Sequence, residues 1–181
     1  GQGEVAATPL QLANMTAAIA NRGHFFTPHL LKAVEGRDVD DVKPSLTQKR
    51  NTTIDPKFFD PIIQGMEEVY LQGTARYLRV KDIRIAGKTG TVENFTRIDG
   101  KKTQLTDHSV FVAFAPVEDP KIAIAIYIEN GYFGARYAGL RLHPEQRVHA
   151  AFAAGAGRHS RPAHQRSGAG GCDHLRNHGP V

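Results

Sequence analysis

A single cysteine, Cys172, stands in a chain of 181 residues. It has no partner for an internal disulfide or a CxxC zinc cluster, so the thiol inventory is neutral about redox compartment. Long apolar runs are missing too: no stretch approaches the roughly 18 to 20 residues that a membrane span needs. The opening Gly1-Gln2-Gly3-Glu4 has no basic, apolar or cleavage region, so neither an anchor nor an address is read in this chain. With 40% hydrophobic residues the composition suits the core of one domain, and equally half of a larger one.

An excess of either charge is also lacking over most of the chain. Gly1 to Ala138 holds 17 Lys and Arg against 16 Asp and Glu, whereas Gly139 to Val181 holds six Arg against Glu145 and Asp173. Four of the five net positive charges therefore belong to the tail, and no nucleic-acid partner is expected. That tail has no Lys, Ile, Thr or Tyr, carries six of the nine His, and includes Gly155-Ala156-Gly157 and Gly168-Ala169-Gly170-Gly171. Beyond Val148 to Ala154 it shows almost no apolar periodicity, so it is expected to be disordered and to follow a reading-frame change near Ala138. Its histidines lack regular ligand spacing, and neither a metal nor a cofactor is expected. The boundary is drawn at 1–138 for the domain and 139–181 for the atypical Gly/Arg/His-rich tail.

Within 1–138, Thr8-Pro9-Leu10-Gln11 is a capping box with proline at the first helical position. Leu12, Met15, Ala18, Ile19 and Arg22 follow at helical spacing before Gly23, which predicts a helix from about Pro9 to Arg22. Gly36 to Thr53 is polar and reads as a surface connection. Asp55-Pro56 starts a second helix, whose apolar stripe is Phe59, Ile62, Ile63, Met66, Val69 and Tyr70; Pro61 falls early enough to be tolerated. Strands are predicted at Ile83–Val92, His108–Pro116 and Lys121–Glu129, the last two as an antiparallel hairpin around Val117-Glu118-Asp119-Pro120. Alanines alternating with Ile122, Ile124, Ile126 and Ile128 allow a helix to lie close against one face. The fold class is α+β, an antiparallel sheet packed by helices and incomplete within this chain.

The chemistry sits in Ala86-Gly87-Lys88-Thr89-Gly90-Thr91, on a strand. A phosphate-binding P-loop needs glycine five residues before Gly87, where Asp82 stands, and needs a helix to follow. Lys-Thr-Gly on a strand is instead a signature of penicillin-binding proteins and their β-lactamase relatives. Together with Gly73-Thr74-Ala75 after a helix, Gly1-Gln2-Gly3, Thr8-Pro9-Leu10-Gln11 and Phe114-Ala115-Pro116, the motif resembles the class B penicillin-binding proteins of the penicillin-binding protein 2 type over about Gly1 to Ala138. The resemblance implies the C-terminal part of a penicillin-binding/serine β-lactamase-like transpeptidase domain. It implies that Lys88 places a cation beside the substrate carboxylate and active-site hydroxyls, and that Thr89 and Thr91 donate hydroxyls to that carboxylate. Gly90 then leaves room for substrate backbone, and the Thr91 N–H forms half of an oxyanion hole.

The same resemblance requires a Ser-x-x-Lys nucleophile and a Ser-x-Asn loop, and neither occurs among Ser45, Ser109, Ser160 and Ser167. The nucleophile is expected upstream of Gly1 and the chain alone is expected to be inactive. Ser45 and Lys49 read as solvated surface, His108 and Ser109 point to opposite strand faces, and His24 and His29 read as helix-exit packing. By resemblance the activity is D,D-transpeptidation of stem peptides ending in D-Ala-D-Ala, blocked by β-lactams. The same source implies periplasmic placement on the inner membrane through an N-terminal anchor outside the chain, and partners in the cell-elongation machinery. The alternatives are a carboxypeptidase, septal transpeptidase or serine β-lactamase of the same superfamily, or a non-catalytic β-lactam-sensing or peptidoglycan-binding module.

Overall fold

In a computed structural model the described residues are 3–31, 33–131 and 148–154. Helix α1 (Pro9–Ala20) begins where the capping box places it: the Gln11 N–H donates to Thr8 Oγ1 at 3.3 Å and the Thr8 N–H to Gln11 Oε1 at 2.8 Å. It ends at Ala20, earlier than predicted, because Arg22 (φ 54°) already turns left-handed together with Gly23 (φ 103°). The buried face is Ala13, Thr16, Ala17, Ala18 and Ala20, while Met15 of the predicted stripe is 48% exposed. Small side chains let the helix approach a sheet more closely than Leu or Met would, and the larger residues stay at its flanks.

The polar interval that follows holds only short pieces: β1 (His24–Phe25), β2 (Ala33–Val34), β3 (Arg37–Asp38), α2 (Val39–Val42), α3 (Pro44–Thr47) and β4 (Arg50–Asn51). Strand β1 pairs with β4 and β2 with β3. Burial, and secondarily the positive charge of Lys49, pushes the His24 imidazole below its ordinary value. A 3-10 turn at Pro56–Phe58, capped by Asp55 accepting the Lys57 N–H at 3.0 Å, leads into α4 (Phe59–Leu71). Phe59, Ile63, Met66 and Tyr70 are buried, and Phe59, Ile63 and Met66 pack with Ala17 and Ala20 of α1.

The main sheet is antiparallel in the order β10-β9-β8-β5, built from β5 (Ala86–Val92), β8 (His108–Ala115), β9 (Ile122–Ile128) and β10 (Val148–Ala154). Strands β8 and β9 form the expected hairpin, and Lys121 pairs with Asp119 in its turn. Ala123 and Ala125 are fully buried where α1 crosses the sheet, so the alternating alanines do admit a helix at close range. Strand β5 starts at Ala86 and not at Ile83, since Asp82 is left-handed (φ 65°) and the Arg84 carbonyl is taken by the Val117 N–H at 3.1 Å. The near-buried Glu67 of α4 accepts two bonds from Arg84, at 2.5 and 2.6 Å, and Glu118 accepts a third at 2.5 Å. Those carboxylates hold Arg84 above the ordinary guanidinium value, Glu67 foremost, and tie α4 to the approach of β5 and to the β8–β9 turn.

Two further features depart from the sequence reading. Strands β6 (Phe95–Ile98) and β7 (Lys101–Gln104) form a hairpin about Asp99-Gly100, both with positive φ, a turn dipeptide that had been passed over. Strand β10 places a sheet element beyond the boundary drawn at Ala138. A short apolar run suffices there because it joins an existing edge, which satisfies its backbone, and α1 lies over it. Residues 132–147 and 155–181, including the expected frame change near Ala138 and most of the expected disordered tail, lie outside the described residues.

Phe114, 1% exposed, is the central wedge between α1, α4 and the sheet. Phe114→Ala is expected to cost about 3–5 kcal/mol and Ala125→Leu about 1–3 kcal/mol, against ~0.5 kcal/mol or less for Met15→Ala, in urea unfolding of the domain that contains this segment. A Met15 penalty as large as that of Phe114 would contradict this packing.

Candidate active site

Strand β5 is the end strand of the sheet, and among the described residues nothing pairs with its outer edge. Lys88, Thr89, Gly90 and Thr91 occupy its middle. Side chains alternate across a strand, so Thr89 and Thr91 share one face and Lys88 and Gly90 the other. In an antiparallel ladder the N–H and C=O of one residue leave by the same edge, so the backbone groups of Thr89 and Thr91 also share an edge. Lys88 is exposed, donates from Nζ to the Thr89 carbonyl at 2.6 Å, and has no acidic partner among the described residues. Thr91 is exposed, and Thr89 Oγ1 lies 2.9 Å from Thr74 Oγ1.

What holds this strand in place is a close approach at its start. A Cβ on Gly87 would meet the Val112 carbonyl at 2.6 Å and the Tyr70 ring at 3.0 Å. Tyr70 fills that space from α4 and meets Phe111 edge to face at 6.0 Å. Burial pushes the Tyr70 phenol up to about 12. Gly90 is different: a Cβ there would make ordinary contact at 3.4 Å with Val110, so the chain's own packing does not demand glycine. Its missing side chain leaves open surface on the face it shares with Lys88.

The sequence reading treated Gly73-Thr74-Ala75 only as part of a family pattern, and it missed the link to Thr89. The turn is tight because the Gly73 N–H donates to Glu68 O at 2.9 Å and the Ala75 N–H to Val69 O at 3.0 Å. A glycine directly after an amphipathic helix was the available signal. At the other end of β5, Asn94 donates to Thr106 O at 3.2 Å and to Asn130 Oδ1 at 3.0 Å, and its N–H reaches Asp107 Oδ1 at 3.3 Å, which pins the root of the β6–β7 hairpin.

Other candidates fall away. Ser109 is fully buried, Ser45 lies exposed in α3, and His108 accepts the Asn130 N–H on Nδ1 at 3.0 Å. A cavity of about 520 Å³ is lined by Glu67, Tyr70, Arg79, Arg84 and Glu118 among others, and by none of Lys88 to Thr91. It belongs to the Arg84 ion cluster at the N-terminal end of β5. Among the described residues no group of three or more His, Cys, Asp and Glu is placed to hold a metal, and no helix is long and apolar enough to cross a membrane.

An end strand bearing Lys-Thr-Gly, backed by helices on an antiparallel sheet, defines the penicillin-recognising class of acyl-transfer domains. Residues 1–148 match the penicillin binding protein transpeptidase domain, and the chain belongs to that family. It is 38% identical over 147 residues to the peptidoglycan D,D-transpeptidase MrdA of Acinetobacter baumannii, covering 77% of this chain and 22% of that protein. It is 34% identical over 134 residues to the peptidoglycan D,D-transpeptidase PbpA of Mycolicibacterium smegmatis, covering 72% of this chain and 26% of that one. Its fold resembles crystalline PBPA from Mycobacterium tuberculosis, with a TM-score of 0.59 and 29% identity over 77% of this chain and 31% of that one. The imipenem acyl-enzyme complex of penicillin-binding protein A from M. tuberculosis gives 0.57 and 31%, over 77% and 30%. The chain thus spans about a fifth to a quarter of the length of these curated relatives.

Gly87→Ala is expected to destabilise the domain by about 1–3 kcal/mol, because one of the clashing atoms is backbone. A melting temperature equal to wild type would remove Tyr70 and Val112 as the elements that fix β5. Tyr70 keeps its proton in the fold above the unfolded value of 10, so its contribution is present below pH 10 and is lost as pH rises toward about 12. Phenolate absorbance should show a last ionisation near pH 12 that Tyr70→Phe abolishes; a titration unchanged by that substitution would contradict the buried placement.

Proposed function

We propose that the full-length protein containing this segment is a peptidoglycan D,D-transpeptidase. The observation that carries the reading is the outer edge of β5, unpaired among the described residues, which carries the exposed Lys88 and Thr91 and the half-buried Thr89. The named activity of the relatives at 34–38% identity supports it. A stem peptide ending in D-Ala-D-Ala would lie along this edge as an added strand, its carboxylate facing Lys88, Thr89 and Thr91. A serine outside residues 1–181 attacks the carbonyl between the two D-alanines. The Thr91 N–H then donates to the oxyanion, and the C–N bond breaks as the leaving amine takes a proton. The acyl group passes to an amine on a neighbouring strand.

Each part has a physical role. The cation and two hydroxyls favour an anionic peptide terminus over an internal peptide bond, because a carboxylate needs paired donors once water is excluded. Loss of one oxyanion donor costs about 3 kcal/mol of transition-state stabilisation in comparable sites. β-Lactams would enter by the same contacts and acylate the same serine; penicillin-binding protein A from M. tuberculosis, which the fold resembles, forms an imipenem acyl-enzyme complex. We also assign to the whole protein a periplasmic catalytic domain, an N-terminal membrane anchor and partners in cell elongation. The segment itself is inactive, since it has neither Ser-x-x-Lys nor Ser-x-Asn.

Fluorescent penicillin should label the full-length protein in a stable adduct, and Lys88→Ala should slow labelling by about 10²-fold or more at unchanged melting temperature. Rapid hydrolysis of the adduct would identify a β-lactamase, and a stable adduct without cross-linking of stem peptides would identify a sensor. Label on residues 1–181 alone would contradict the division of roles.

A further inference from the structure

We propose that Thr74 is a positioning residue of the carboxylate site, acting through Thr89; this rests on the transpeptidase reading of the β5 edge. The two hydroxyl oxygens are 2.9 Å apart, so one of them donates to the other. A threonine hydroxyl has one proton and two acceptor sites. If Thr89 gives its proton to Thr74, it has none left for a bound carboxylate. The productive order is Thr74 to Thr89 to carboxylate, in which Thr74 fills an acceptor site of Thr89 and aims the remaining proton at the groove. Serial hydroxyls in this order polarise one another, which strengthens the final, charge-assisted bond.

Thr74 is well placed to hold that order. It sits between Gly73 and the fully buried Ala75, in a turn closed onto the last turn of α4 by the Gly73 and Ala75 N–H bonds. A Cβ on Gly73 would stand 2.7 Å from Val69 Cα, so the chain cannot pass this point with a larger residue. One turn earlier on the same helix, Tyr70 is packed against the Gly87 position of β5. Both ends of the Thr74–Thr89 bond are therefore referred to the same helix–strand contact, and the bond fixes a rotamer rather than a fold element. Lys88 leaves from the opposite face, so Thr74 bears on the hydroxyl half of the carboxylate site alone.

The test is a double-mutant cycle in the full-length protein, read as the second-order rate of acylation by fluorescent penicillin. Thr74→Val is expected to lower that rate about tenfold with the melting temperature unchanged, and Thr74→Ser to restore it to within about threefold. On a Thr89→Val background Thr74→Val is expected to cost nothing further. Thr74→Ala, which deletes the same hydroxyl without adding a second branch, serves should the valine variant melt early. Equal losses in both backgrounds would overturn the proposal by showing that Thr74 meets the ligand itself or acts independently. A serine variant as poor as valine would overturn it by showing that a hydroxyl at this position does not carry the effect. A wild-type protein that takes no label overturns the transpeptidase reading and this role with it, whereas additive losses in a labelled protein overturn the role alone.

Discussion

The exposed Lys-Thr-Gly edge depends on the contact between Gly87 and the Tyr70 ring. An end strand has ladder bonds on one side only, and β5 owes its position to β8 on that side and to α4 at its start. The absence of a Cβ at Gly87 lets an aromatic ring from the helix touch the strand backbone, so the site's first residue is located by sterics and not by a flexible side chain. The Glu67–Arg84–Glu118 cluster adds a second tie between the same helix and the lead-in to the strand. A buried carboxylate is tolerable only when paired, so this tie holds the geometry as long as Arg84 is in place.

A division of labour follows. Nothing on this edge is a nucleophile, and the only described serine near it, Ser109, is fully buried. What the edge offers is a cation, two hydroxyls, a bare stretch at Gly90 and backbone donors with one side unpaired. Under the proposed function these groups would recognise and stabilise charge, and attack would come from elsewhere. The two glycines of Gly87-Lys88-Thr89-Gly90 serve different ends: Gly87 is demanded by the fold, while Gly90 is not, which leaves the space beside it for a ligand.

Much of this was legible in the residues because short-range chemistry decided it. Thr8 and Gln11 announced a helix start that the structure realises through their two reciprocal bonds, and the Ile/Ala alternation of Ile122–Ile128 gave both strand and helix-facing side. Legibility failed where tertiary contact overruled local pattern. Met15 sits on an apolar stripe by spacing, yet alanines form the buried face, since the depth of contact depends on the sheet and not on the helix's own hydrophobicity. Asp99-Gly100 was a local signal overlooked in a polar stretch. Val148–Ala154 became a strand by joining an edge that no inspection of the tail alone could reveal. The Thr74–Thr89 bond joins residues 15 apart through the packing of α4 on β5, so sequence spacing carried no trace of it.

On the proposed function, residues 88 to 91 form the rim that holds a carboxylate and its neighbouring oxyanion. The most direct measurement is a crystal structure of the full-length protein acylated by a penicillin. The ligand carboxylate should lie within about 3 Å of the Thr89 or Thr91 hydroxyl and the acyl carbonyl oxygen within about 3 Å of the Thr91 N–H. An acyl-enzyme whose carboxylate and carbonyl lie against another edge, with β5 untouched, would contradict it.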